Sequence, residues 1–125
     1  MVNPISPKLV HPQEIEVWYI LPALRRELAL SMKKSGLEQK DIAKKLGVTE
    51  AAVSYYINSK RAAKISFNKK TKLKIKYAAK KLVKNEAGLF KEMNTLLNHV
   101  WNKRMVCKIH RQYSLVPKNC DVCLK

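Results

Sequence analysis

The chain has 125 residues, 46% of them hydrophobic, with 26 Lys and Arg against 9 Asp and Glu, a formal net charge of +17. That length holds one domain, or one domain with an appendage, and the apolar share builds a core, which excludes a disordered polycation. No stretch approaches the ~20 apolar residues of a membrane span. Lys enrichment through heat adaptation brings Glu with it, so the charge reads as polyanion binding.

Residues 1–13 carry Pro4, Pro7 and Pro12. They read as an extended N-terminal arm without the apolar core of a signal peptide, which predicts a cytoplasmic protein. From Glu14 the apolar residues Ile15, Val17, Trp18, Ile20 and Leu21 thicken. Alternation over Glu14–Ile20 would also suit a strand; a short helix that breaks before Pro22 is the expectation. Pro22 then opens a helix to about Ser35, since the missing proline N–H costs nothing in a first turn. Leu24, Leu28 and Met32 recur at i+4 and face the core, with Ala23 and Leu30 beside them. Gly36, Gly47 and Gly88 each sit where a helix should stop.

The run Gln39 to Asn58 meets the requirements of a helix-turn-helix one by one. Ala43 is small where two helices cross. Gly47 suits a left-handed turn. Val48 plugs the space between the helices, and Thr49 caps the second one. Ile42, Leu46, Val53 and Ile57 bury a shared core, which leaves Glu50, Ala51, Ser54 and Tyr55 outward. The N-terminal part of such a second helix enters the major groove. The simpler reading is an ordinary helical hairpin.

A fourth long helix is expected from about Lys69 to Asn85, burying Ile75, Ala78, Ala79 and Leu82. Between Ala51 and Asn85 there are eleven basic residues and no acid. Lys72, Lys76, Lys80 and Lys84 stand four apart and read as one ridge. Like charges at that spacing repel, and phosphate would relieve them with release of counterions. Lys72 and Lys76 are therefore placed with the DNA contacts, against the alternative of a solvated face. A fifth helix is expected from about Leu89 to Arg104, with Phe90, Met93, Leu97, Val100 and Trp101 as its apolar stripe.

Near the C-terminus, Cys107 and His110 form one pair at x2 spacing and Cys120 and Cys123 another, with nine residues between them and no other cysteine in the chain. In a reducing compartment clustered cysteines are metal ligands more often than disulfides. Cys3His is a ligand set for structural zinc, with an iron–sulfur cluster as the alternative. The simpler reading is a buried thiol and a surface histidine. Four protein ligands would leave no open position for catalysis. No nucleophile–base pair, phosphate loop or carboxylate pair stands out, so no enzyme is expected. His11 and His99 receive no role.

The stretch Gln39–Asn58 resembles the lambda-repressor-like (Cro/C1-type) helix-turn-helix family. The run from Glu14 to Arg61, with "EIEVWYILPALRREL", "GVTEAAVS" and the tail "CKIH…CDVC", resembles a group of small archaeal predicted transcriptional regulators. The resemblance implies that Gln39 holds a phosphate. It implies that Glu50, Ala51, Ser54 and Tyr55 approach base edges beside the cap Thr49, and that Asn58, Lys60 and Arg61 meet the DNA backbone. Glu50 has two readings: an acceptor from cytosine N4, or a first-turn acid that favours the helix dipole.

The expectation is an all-α, lambda-repressor-like bundle of four to five helices with a small metal-bound C-terminal appendage. Residues 1–13 form the arm, 14–85 the DNA-binding domain, 86–106 a C-terminal helix suited to dimerisation, and 107–125 the Cys/His tail. The expected function is sequence-specific binding of double-stranded DNA in transcription regulation, as a homodimer. An iron–sulfur sensor is one alternative. Another is an adaptor that binds basal transcription proteins, as the multiprotein-bridging family does; that family carries its zinc ribbon at the N-terminus, unlike the pairs here. RNA binding ranks lower, because no stacking platform is visible.

Overall fold

The computed structural model describes residues 9–114, all helical or irregular. The N-terminal helix α1 (Pro12–Ile15) starts at a proline and runs through a π-helical turn (Glu16–Ile20) straight into α2 (Leu21–Lys34). The expected break before Pro22 is replaced by this wider turn. Proline lacks an N–H, and its ring collides with the carbonyl one turn back in a regular helix. Widening the helix removes the collision, and the Leu21 N–H donates to the Glu16 carbonyl, five residues back.

Helix α2 is the hub: the π turn, α3 (Gln39–Leu46), α4 (Glu50–Asn58), α5 (Lys60–Ala63) and α6 (Lys69–Val83) all pack on it. Its residues Leu24, Leu28 and Met32 are fully buried, with Ala23 and Ala29 beside them. Each large apolar side chain removed from water in this way contributes roughly 1.5–3 kcal/mol before entropy is counted. The helix ends in a Schellman motif: Gly36 takes φ +98°, its N–H donates to Lys33, and the Leu37 N–H donates to Met32.

Two sequence expectations change in the C-terminal half. Helix α6 is ended by Asn85, at φ 58°, and not by Gly88. The Glu86 N–H closes the motif on the Lys81 carbonyl at 2.8 Å. Asn tolerates the left-handed region better than most residues; in addition, Asn85 Oδ1 accepts from Lys45 Nζ of α3 at 2.6 Å, a tertiary contact. Gly88 is the N-cap of α7 (Leu89–Asn102), at φ −84°.

The buried side of α7 is also rotated from the expected stripe. It consists of Glu92, Leu96 and Val100, while Phe90 is 85% exposed. Met93, Leu97 and Trp101 are half-buried at its edges. Two polar contacts to α6 accompany this rotation: Lys81 Nζ lies 3.8 Å from Glu92 Oε1, and His99 Nε2 lies 2.8 Å from Thr71 Oγ1.

A further helix, α8 (Met105–Tyr113), lies where a metal tail was expected to begin. Its buried residues Val106 and Ile109 join the core, and the helix packs on α1. The Val10 N–H donates to Ser114 Oγ at 2.9 Å, and Trp101 Nε1 donates to Glu16 Oε2. The two ends of the described chain are thus stapled together. The described residues form eight α-helices and one π turn, against the four to five helices expected. The additional ones are short and are held by tertiary contacts that no local periodicity announces.

Candidate nucleic-acid interface

Helices α3 and α4 cross closely because Ala43 brings no bulk to the crossing; Ile42, Ala43 and Leu46 are all buried there. The turn between them is another Schellman motif. Gly47 sits at φ 66°, ψ 34°, and the Val48 N–H donates to the Ala43 carbonyl at 3.0 Å. Val48 packs half-buried against the core. Thr49 then caps α4, its Oγ1 accepting from the Ala52 N–H at 3.0 Å.

Val53 is fully buried and Ile57 half-buried, which fixes the roll of α4. By helical geometry, Ala51, Ser54, Tyr55 and Asn58 then share one outward stripe. Ala51, Tyr55 and Asn58 are exposed and Ser54 half-buried. Tyr55 is 56% exposed, its ring edge-on to Tyr56 at 5.6 Å. Glu50 is exposed at the edge of the stripe. Asn58 Nδ2 donates back to the Ser54 carbonyl at 3.0 Å, which secures the last turn.

Two arginines brace this helix from behind, and sequence reasoning missed both. Arg25 Nη1 donates to the Tyr56 hydroxyl at 3.2 Å, with its guanidinium 5.6 Å from the ring centroid. Arg26 Nε donates to the Ile57 carbonyl at 3.3 Å, placing a cation at the negative end of α4. Nothing local pairs these residues across 31 positions. The only available hint is that an amphipathic helix carries two adjacent arginines.

Gln39 stands at the start of α3, exposed, and its Nε2 donates to the Glu50 carbonyl at 2.8 Å. One of its two amide hydrogens is therefore spent on pinning α4 to α3, leaving the other for a phosphate. Lys60 is exposed at the start of α5. Arg61 is half-buried, its guanidinium 5.6 Å above Tyr19 of the π turn.

The lysine ridge does not stay on one line. Steps of four residues drift by roughly 40° each on an α-helix. Lys72 and Lys76 line a groove between α6 and α2, while Lys80 and Lys84 lie farther along the helix, outside that groove; all four are exposed. The α2 residues in that groove are Glu27, Leu30, Ser31 and Lys34. On average they lie roughly 140° around α2 from the Arg25–Arg26 flank that meets α4, with Leu30 the nearest, about 40° from Arg26. The structure therefore gathers Gln39, Thr49, Glu50, Ala51, Ser54, Tyr55 and Asn58 around α4, and sets Lys72 and Lys76 apart.

On α8, Cys107 and His110 are both half-buried. Three residues apart on a helix, they project to the same side. His110 Nε2 donates to the Val10 carbonyl. Cys120 and Cys123 lie outside the described residues. Among the described residues no three His, Cys, Asp or Glu side chains converge on one point.

His99 is held below its ordinary pKa, first by burial and then by Lys74, Lys103 and Lys70. It sits against Thr71 between α6 and α7, away from α4.

Residues 28–67 match the helix-turn-helix family model. The match, of the lambda-repressor-like Cro/C1 type, begins inside α2 and ends after α5, so it takes in both helices of the motif and their brace. It supports a DNA-binding helix-turn-helix of the kind found in regulators. No curated protein and no solved structure matches the chain. No helix among the described residues is long and apolar enough to cross a membrane.

Proposed function

We propose that the helix-turn-helix reads duplex DNA in a sequence-specific way and that the protein regulates transcription through it. The observation that carries this reading is the presentation of α4. Its first turn is capped, its back is buried and braced by Arg25 and Arg26, and its outward stripe is short and mostly open. A helix held in this way enters a major groove N-terminus first. Ser54 and Tyr55 supply the polar and aromatic contacts to base edges, Ala51 fits against a thymine methyl, and Gln39, Asn58 and Lys60 meet phosphates. The net charge of +17 supplies the sequence-independent attraction.

One motif covers one half-site, so a homodimer on half-sites roughly 34 Å apart completes the reading. The expected zinc belongs to the same proposal, with an iron–sulfur cluster as the alternative. Cys107 and His110 share a side of α8; Cys120 and Cys123 would complete the set. Bound zinc would tie the C-terminal segment to α8. Metal analysis with an absorption spectrum on protein purified without oxygen tests it, because colourless zinc and coloured iron separate the two cofactors.

The test of DNA reading is selection of bound duplexes from a random pool, followed by titration of the winner against tRNA. Enrichment of one motif, lost in Tyr55→Ala, is the expected result. Equal binding of any duplex and of tRNA, unchanged in Tyr55→Ala, would overturn the reading.

A further inference from the structure

We infer that the groove between α2 and α6 is a docking site for an acidic amphipathic segment of a partner protein. This goes beyond DNA binding and does not depend on it. The groove encloses about 470 Å³. Its apolar lining comes from Leu30, Leu73 and Ile75, and its rim from Lys34, Lys69, Lys72 and Lys76. Leu73 and Tyr77, one turn apart on α6, are each 64% exposed, with Lys69, Lys72 and Lys76 near them on the same helix. Adjoining large apolar side chains left open among like charges mark an interaction surface better than a solvated face does.

The chemistry of the rim selects the occupant. Four lysines stand among the lining residues, and the one acid there, Glu27, is already paired with Arg26 at 3.4 Å. A second copy of this chain would bring another +17 charges. The chain's own ends, residues 1–8 and 115–125, carry three lysines against one acid, Asp121. Duplex DNA would satisfy the lysines but not the leucines, and the groove lies across α2 from the side that carries α4. An acidic helix with apolar residues at i, i+3, i+4 and i+7 satisfies both: its apolar side enters the groove and its carboxylates meet the rim. The charges steer the encounter and the leucines hold the register. A protein that grips DNA through α4 could in this way recruit a second protein through α6.

The test uses the full chain and a fluorescein-labelled synthetic peptide with Leu and Phe at those positions and Glu and Asp elsewhere. Its control is a scrambled peptide of identical composition. Anisotropy is read with and without a saturating DNA duplex. The amphipathic peptide should bind at least about tenfold tighter than the scrambled one, and Leu73→Asp should remove most of that difference. Because Leu73 is exposed, Leu73→Asp should fold normally, as circular dichroism will show, and bind duplex as before. A double variant, Lys72→Glu with Lys76→Glu, should weaken peptide binding independently. Peptide binding should persist in Tyr55→Ala, which separates this inference from the DNA reading. No binding, equal binding of the scrambled peptide, an unchanged Leu73→Asp, or displacement of the peptide by duplex would each overturn it; displacement would make the groove a nucleic-acid face.

Discussion

Replacing Gly47 by Ala tests whether backbone conformation at the turn positions the recognition helix. Gly47 occupies the left-handed region at φ 66°, ψ 34°. An alanine there loses about 1–2 kcal/mol relative to its right-handed preference. The unfolded chain loses freedom as well, which returns about 0.4–1 kcal/mol. Sterics add little, because the new Cβ would stand 3.5 Å from Leu89 Cδ2, an ordinary contact. The net loss should be about 1 kcal/mol, or a fall in Tm of roughly 3–5 °C for a chain of this size. Urea denaturation monitored by circular dichroism measures it directly.

Gly36→Ala is the internal control. Its Cβ meets nothing within 4 Å, but its φ of +98° lies farther from the left-handed minimum. It should therefore cost more than Gly47→Ala, although it has more space. Gly47→Asn should recover part of the loss. A cost above about 3 kcal/mol for Gly47→Ala would place the penalty in the contact with Leu89 instead of the backbone. No cost at all would refute the claim that this turn needs its glycine.

Thr49→Ala removes the cap of α4 and should cost about 1 kcal/mol by urea denaturation, with Thr49→Ser recovering most of it. Glu50→Gln should lower Tm slightly through the lost dipole contact and strengthen duplex binding at every sequence; weakening confined to one base pair would assign Glu50 to cytosine readout. His99 should make stability depend on pH. Its folded pKa lies below the ordinary value because of burial and then Lys74, Lys103 and Lys70, so the unfolded chain takes the proton first as pH falls. The contribution of neutral His99 is complete above the unfolded pKa and is lost as pH drops below it. Urea midpoints should fall between about pH 7 and pH 5, and His99→Gln should flatten that fall; an unchanged slope would remove His99 as its source.

Much of the candidate site was legible in the chain because its requirements are local. A small residue, a turn glycine, a capping threonine and an i, i+4 apolar pattern depend on neighbours within one or two turns. They place Ala43, Gly47, Thr49 and Val53 without reference to the rest of the protein. The core of α2 and of α6 followed from periodicity for the same reason. Tertiary structure decided what periodicity leaves degenerate. Pro22 could end a helix or widen it; the π turn keeps α1 continuous with α2 while α1 packs on α8. Helix α7 has apolar residues on more than one side, so its contacts with Lys81 and Thr71 selected the buried one. The helix expected to run to about Asn85 does stop there, through a left-handed Asn85, and Gly88, placed where a helix should stop, instead begins α7. The lysines of α6 look like one ridge in sequence, yet only Lys72 and Lys76 of it meet the groove beside α2, while Lys80 and Lys84 lie beyond it along the helix. Local chemistry specifies how a segment turns; which side it turns toward depends on partners far away in the chain.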